Sequence, residues 1–161
     1  MKKIISVMLA LAVLLQCGCG GTKVSDTVSM YDLRQTMEAA DKSLPEMLNA
    51  SSSDENAADS FSYISDMDYD KVDSFFLSYA KEGTADEIAV VAVKDLNDID
   101  EAKQSLEKHR ESRRKLFDQY EPEEVKRIDD GFVFASGQYA VLIICDDASA
   151  VKAAFEKAME K

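Results

Sequence analysis

Ile88 to Val93 reads Ile-Ala-Val-Val-Ala-Val, an unbroken run of β-branched and small apolar residues with no polar face. A strand with one face in water alternates apolar and polar residues, so this run predicts a strand, Glu87 to Lys94, covered on both sides, or on its strong side by a helix. The helix follows at once. From Asn97 to Tyr120 the pattern is helical, and at 100° per residue Ile99, Ala102, Leu106, Arg113, Phe117 and Tyr120 fall on one side, with Arg110 among them. The rest of the chain is organised around this strand and helix.

Val72 to Ala80 alternates Phe75, Leu77 and Tyr79 with Phe76, Ser78 and Ala80, which predicts a strand with one face on a core. The Gly83-containing link from Lys81 to Asp86 joins it to the apolar run as a hairpin. Glu121-Pro122 ends the long helix, and Pro122 can start a short one that closes at Gly131. Phe132 to Ser136 and Tyr139 to Cys145 are predicted strands joined by Gly137-Gln138. Asp146 or Asp147 then caps a last helix with an apolar stripe of Val151, Ala154, Phe155, Ala158 and Met159. Ahead of all this, Ser29-Met-Tyr-Asp32 begins a helix predicted over Met30 to Leu48, with Pro45 imposing a kink or break near Lys42. Asn49 to Ser60 reads as a surface loop.

Strand, turn, strand, helix thus occurs twice. The expected fold is α+β, an antiparallel sheet of about four strands in a ββα-ββα pseudo-repeat, packed with helices, plus an N-terminal helix. In that scheme the two repeat helices share one face, and the first helix is added at an edge or end.

The front of the chain has its own logic. Lys2 and Lys3 precede an apolar run from Ile4 to Leu15, and Gln16-Cys-Gly-Cys-Gly-Gly follows. A basic start, a dozen or so apolar residues and a small-residue exit describe a secretory signal, too short to span a bilayer. Cysteine directly behind such a run resembles a lipoprotein signal, in which that cysteine becomes the acylated N-terminus. Gly18, small at the cut site, favours Cys19, whereas Leu14 three residues before Cys17 favours Cys17. Residues 1–18 are therefore expected to be a lipoprotein signal peptide, 19–29 a tether and 30–161 one domain. Two acyl chains would hold the product at the extracytoplasmic face of the cell membrane, where one chain binds only marginally.

Removing residues 1–18, whose only charges are Lys2 and Lys3, takes the net charge from -12 to -14. Such a body repels nucleic acid, so no nucleic-acid partner is expected. The partners that remain are the membrane, through the lipid, and a protein or a small anionic ligand.

Three segments together carry a family resemblance. Thr84-Ala-Asp-Glu-Ile-Ala-Val-Val-Ala-Val-Lys-Asp95, the arginine-bearing helix ending Phe117-Asp-Gln-Tyr-Glu-Pro122, and Gly137-Gln-Tyr-Ala-Val-Leu-Ile-Ile143 resemble a family of Gram-positive lipoproteins known as a domain of unknown function, DUF4358-like. The resemblance runs from about Met30 to the C-terminus. Arg110 matches the helix arginine usual in that family, but Arg113 or Arg114 stands where a glutamine is usual. The resemblance implies location and fold; it brings no activity and no catalytic residue.

Asp66-Met-Asp-Tyr-Asp70 has the alternate acidic oxygens that open an EF-hand loop, yet Lys71 stands where glycine is needed and Leu77 where a bidentate glutamate is needed. It reads as a solvated acidic stretch. His109 is the only histidine, and nothing near it in sequence orients it as a base. No glycine loop for phosphate is present, so neither cofactor nor metal is called for. Cys145, inside an apolar strand, reads as a buried small hydrophobe. Arg110 and Arg113 are the notable pair, because both lean toward the apolar side of their helix. Their stems cover the core edge with the heads in water or in a structural ion pair, or they line an anion pocket, with Glu87 and Asp95 among the candidate carboxylates.

The function that fits is a lipid-anchored binding or interaction module at the cell surface. An enzyme or enzyme accessory acting on cell-envelope polymers is the rival, and a structural assembly lipoprotein a third reading. Metabolic labelling with a fatty-acid precursor should mark the product, and Cys19→Ala should remove the label; an unmodified wild-type product would take away the assigned location.

Overall fold

The computed structural model describes residues 28–160. The proposed signal peptide, both candidate lipidation cysteines and most of the tether lie outside the described residues. Ten elements follow in order: α1 (Met30–Glu38), β1 (Met47–Ser51), α2 (Ala57–Ser62), β2 (Val72–Ala80), β3 (Glu87–Val93), α3 (Ile99–Tyr120), α4 (Val125–Asp130), β4 (Phe132–Ser136), β5 (Tyr139–Ile144) and α5 (Ala148–Met159). The strands form one antiparallel sheet in the order β1-β2-β3-β5-β4.

β3 and β5 are neighbours at the centre, and every residue in both is buried. Alternate side chains enter different cores. Glu87 shares the face of Ala89, Val91 and Val93, which meet Ala140, Leu142 and Ile144 of β5, Ala102 and Leu106 of α3, and Phe61 and Ile64 in and after α2. Ile88, Val90 and Ala92 meet Val141 and Ile143, with Leu33 and Met37 of α1 and Val151 and Phe155 of α5. The molecule is therefore three layers, with α3 on one face and α1 and α5 on the other.

This corrects the expectation that both repeat helices share a face. The strand, turn, strand, helix order is present twice, but a strand without a polar side does not specify which helix takes which side. β2 behaves likewise, burying Phe75 and Leu77 on one face and Phe76 on the other.

The first helix is shorter than expected. It stops at Glu38, and Pro45 separates it from Met47–Ser51, which pairs with Phe76–Ala80 as a fifth, edge strand. Proline removes a backbone donor and biases the residue before it to extended geometry, so the chain leaves the helix early and re-enters as β-structure. The expected loop from Asn49 to Ser60 accordingly holds the end of β1 and the start of α2, whose Phe61 forms an edge-on contact with Phe75. Tyr120, expected on the apolar side of α3, is exposed, because that helix extends past the sheet.

Polar groups fasten the layers. Asp41, buried after α1, accepts hydrogen bonds from the Ser43 amide (2.8 Å) and hydroxyl, and from the Asp147 amide at the start of α5 (2.9 Å). Burial acts to raise its pKa, but these donors together outweigh it and hold the carboxyl below its ordinary value. Cys145 beside it is buried, and burial with the Asp41 charge pushes the thiol far up. Across the sheet, the Ser78 hydroxyl donates to Glu38 Oε1 at 2.6 Å.

Gly137 opens the β4–β5 turn with φ +56°, a conformation that favours glycine. Gly131 matters for a different reason. A Cβ there would stand 2.5 Å from the Ile143 carbonyl oxygen and 3.2 Å from that of Ile128, both backbone atoms that cannot swing away. Gly131→Ala should therefore lower stability by about 2 kcal/mol, in the range of overpacked sites, seen as a lower urea midpoint with an unchanged slope.

Candidate functional site

Glu87 is a charged residue at the end of the most apolar strand in the chain, and its side chain is only 2% exposed. An isolated carboxylate so placed is costly, so it must be paired. Two residues one helical turn apart on α3 supply the partners. His109 Nε2 lies 2.7 Å from Glu87 Oε1, and Arg113 Nε lies 2.9 Å from Oε2. Arg113 Nη2 also donates to the Ala85 carbonyl at 3.1 Å, and its guanidinium stands 5.1 Å from the centre of the Phe117 ring. The Nε contact is an ion pair rather than a hydrogen bond, since the Nε proton is not aimed at the oxygen and finds no other acceptor.

The cluster lies at one wall of a cleft of about 530 Å³ between α2 and α3, roofing the ends of β2 and β3. Asn56 and Ser60 come from α2 and its cap, Tyr63 from just beyond it, and Tyr79 from β2, where it is the cross-strand partner of Glu87. Tyr63 is 77% exposed and Tyr79 37%. Asn56 caps α2 without using its side chain. A smaller lobe of about 340 Å³, lined in part by the same Tyr63, Ile64 and His109, lies beside it against Ser65, Ser105 and Lys108. Its floor is ordered by hydrogen bonds. Ser65 and Ser105 hydroxyls are 2.8 Å apart, and the Ser105 hydroxyl donates to Asp66 Oδ1 at 2.6 Å. Lys108 Nζ is 3.0 Å from Asp66 Oδ2.

Of the four residues singled out from the sequence, Glu87 and Arg113 are brought together. Arg110 is not with them: its Nη1 donates to the Gly131 carbonyl at 3.0 Å, tying α3 to the start of β4. Asp95 is at the far end of β3, where its carboxylate accepts from the Asn97 amide and starts a helical turn. His109 is the residue that sequence reasoning set aside, for want of a neighbour to orient it. Its partner is 22 positions away and arrives through the fold. The spacing of His109 and Arg113 was the available signal, because residues four apart share one helix face.

In the acidic stretch, Asp66 is engaged by Ser105 and Lys108, while Asp68 accepts from the Asp70 amide. Among the described residues no group of three or more His, Cys, Asp or Glu is placed to hold a metal ion. A second charged cluster lies on the other side of the same hairpin. Arg127 pairs with Asp86 at 3.1 Å, with Asp146 at 3.0 Å and with Glu124, which also accepts from the Ala85 amide. Burial pushes the Asp86 carboxyl above its ordinary value even against the Arg127 charge. Ala85 is thus held from both sides, by Glu124 at its amide and Arg113 at its carbonyl, which fixes Glu87 in place.

A family model, the domain of unknown function DUF4358, matches residues 46–145. The chain belongs to this family. No curated protein and no solved structure matches it. The matched span of this DUF4358 chain runs from β1 through β5 and contains Glu87, His109, Arg113 and both tyrosines of the cleft, whereas α1 and α5 lie outside it.

Removing the charge of Glu87 leaves Arg113 desolvated beside a neutral group. Glu87→Gln should lower stability by about 3 kcal/mol, the scale for breaking a buried pair. In urea denaturation the double variant with Arg113→Met should lose less than the two single losses combined, since both remove the same interaction.

Proposed function

We propose that the chain is a lipid-anchored extracytoplasmic binding module whose ligand site is the cleft between α2 and α3. The observation that carries the reading is Glu87: a carboxylate 2% exposed, clamped by His109 and Arg113 beside a cleft edged by exposed Tyr63 and Tyr79. For stability alone this is a costly placement. An apolar side chain at the end of β3 would bury at less cost than a charge that needs two partners. A preorganised polar cluster next to apolar and aromatic walls is the usual make-up of a ligand site, and a volume of about 530 Å³ falls among such sites.

The lipid anchor rests on Cys17 and Cys19 behind the apolar run from Ile4 to Leu15. Within the described residues no helix is long and apolar enough to cross a membrane. The Glu87–His109 contact also favours a second reading. A carboxylate 2.7 Å from an imidazole is how a general base is oriented, so the same cleft suits an enzyme or enzyme accessory acting on envelope polymers.

A photo-crosslinking residue in place of Tyr63, with the full chain expressed in cells, should trap envelope material. The same residue in place of Tyr31, comparably exposed but on α1 at the opposite face, should not. Equal capture from both positions, or none at Tyr63, would overturn the assignment of the cleft.

A further inference from the structure

We infer that the occupant of the cleft is an uncharged, hydroxyl-rich oligosaccharide, seated on Tyr63 and Tyr79 and hydrogen-bonded by Arg113, His109 and Asn56. The inference rests on the cleft being the ligand site and names the chemistry that fits it.

Charge comes first. Each cation in the two lobes already has an anion: Arg113 has Glu87, and Lys108 has Asp66. An anionic ligand would have to compete with a built-in carboxylate, and it would approach a chain of net charge -12. A cationic ligand gains little from Glu87, which is enclosed by two partners. A neutral ligand leaves these pairs intact.

Hydrogen bonding points the same way. Arg113 is 20% exposed and His109 15%, so both present atoms to the cleft. Arginine carries five donors, and the interactions described above leave several free; His109 has Nε2 on Glu87, which leaves Nδ1. Asn56 brings an amide with both a donor and an acceptor, unused in capping. Free donors and acceptors in planar groups lining one cleft suit the hydroxyls of a sugar, each of which donates one bond and accepts others.

Shape supplies the third argument. Two tyrosine rings at the rim offer amphipathic faces at little entropic cost, the surface on which a sugar ring lays its C–H face. The lobes of about 530 and 340 Å³ both have Tyr63, Ile64 and His109 in their linings, so they lie side by side against α3. Together the two lobes offer room for several linked rings rather than one.

The test is calorimetric titration of the full-length chain in a detergent without a sugar headgroup. Tetramers of β-1,4-linked N-acetylglucosamine, β-1,4-linked glucose and α-1,4-linked glucose serve as probes, with a polyphosphate of matched length. At least one sugar should bind, and Tyr63→Ala should weaken it about tenfold with the melting temperature unchanged; Tyr79→Leu, which keeps an apolar side chain on the sheet, should weaken it similarly. Binding of polyphosphate in place of every sugar, or sugar binding indifferent to both substitutions, overturns the inference. If no sugar binds while crosslinking at position 63 still captures envelope material, the ligand class is wrong and the cleft stands. If both fail, the cleft falls as well.

Discussion

The burial of β3 and β5 on both faces is the constraint from which the other features follow. Two adjacent strands with no polar side must be covered above and below, and a chain of this length meets the demand with α3 and α2 on one side and α1 and α5 on the other. Because the antiparallel order places β3 against β5, the two hairpins join through their most apolar strands, leaving the mixed strands β1 and β4 to form the borders.

The candidate site is a by-product of where that coverage ends. α3 lies over β3, β5 and β4, and α2 covers the region toward β1, so a gap opens between the two helices above the paired ends of β2 and β3. Glu87 stands in that gap. It is one residue before the apolar run begins, on the same face as Ala89 and Val91, so strand alternation alone turns its carboxylate toward α3. The ion pair with Arg113 and the contact with His109 then fasten the helix to the sheet where apolar packing has run out.

Much of this could be read from the chain because burial writes itself into composition. The run from Ile88 to Val93, the helical stripe carrying Ala102 and Leu106, and the turn at Gly137 each have a local physical cause. What escaped reading had causes elsewhere. β1 exists because β2 offers it a ladder, and Met47 to Ser51 has no strand pattern strong enough to announce itself. α2 is a six-residue helix, under two turns, whose burial rests on Ala57 and Phe61. The faces of the two main helices were undetermined because strands apolar on both sides carry no label for either. Arg113 was legible as a charge on the apolar side of its helix and Glu87 as a carboxylate at the strand end able to meet it; His109 was not, since the carboxylate that orients it lies beyond any local window.

The sheet's borders carry a further implication. β1 and β4 are each only five residues long, and Pro45 sits just ahead of β1. Ladders that short give an incoming strand few backbone groups to grip, and a proline at the approach shortens the usable stretch further. Copies of the domain that meet rim to rim therefore find little template for fusing into extended fibres.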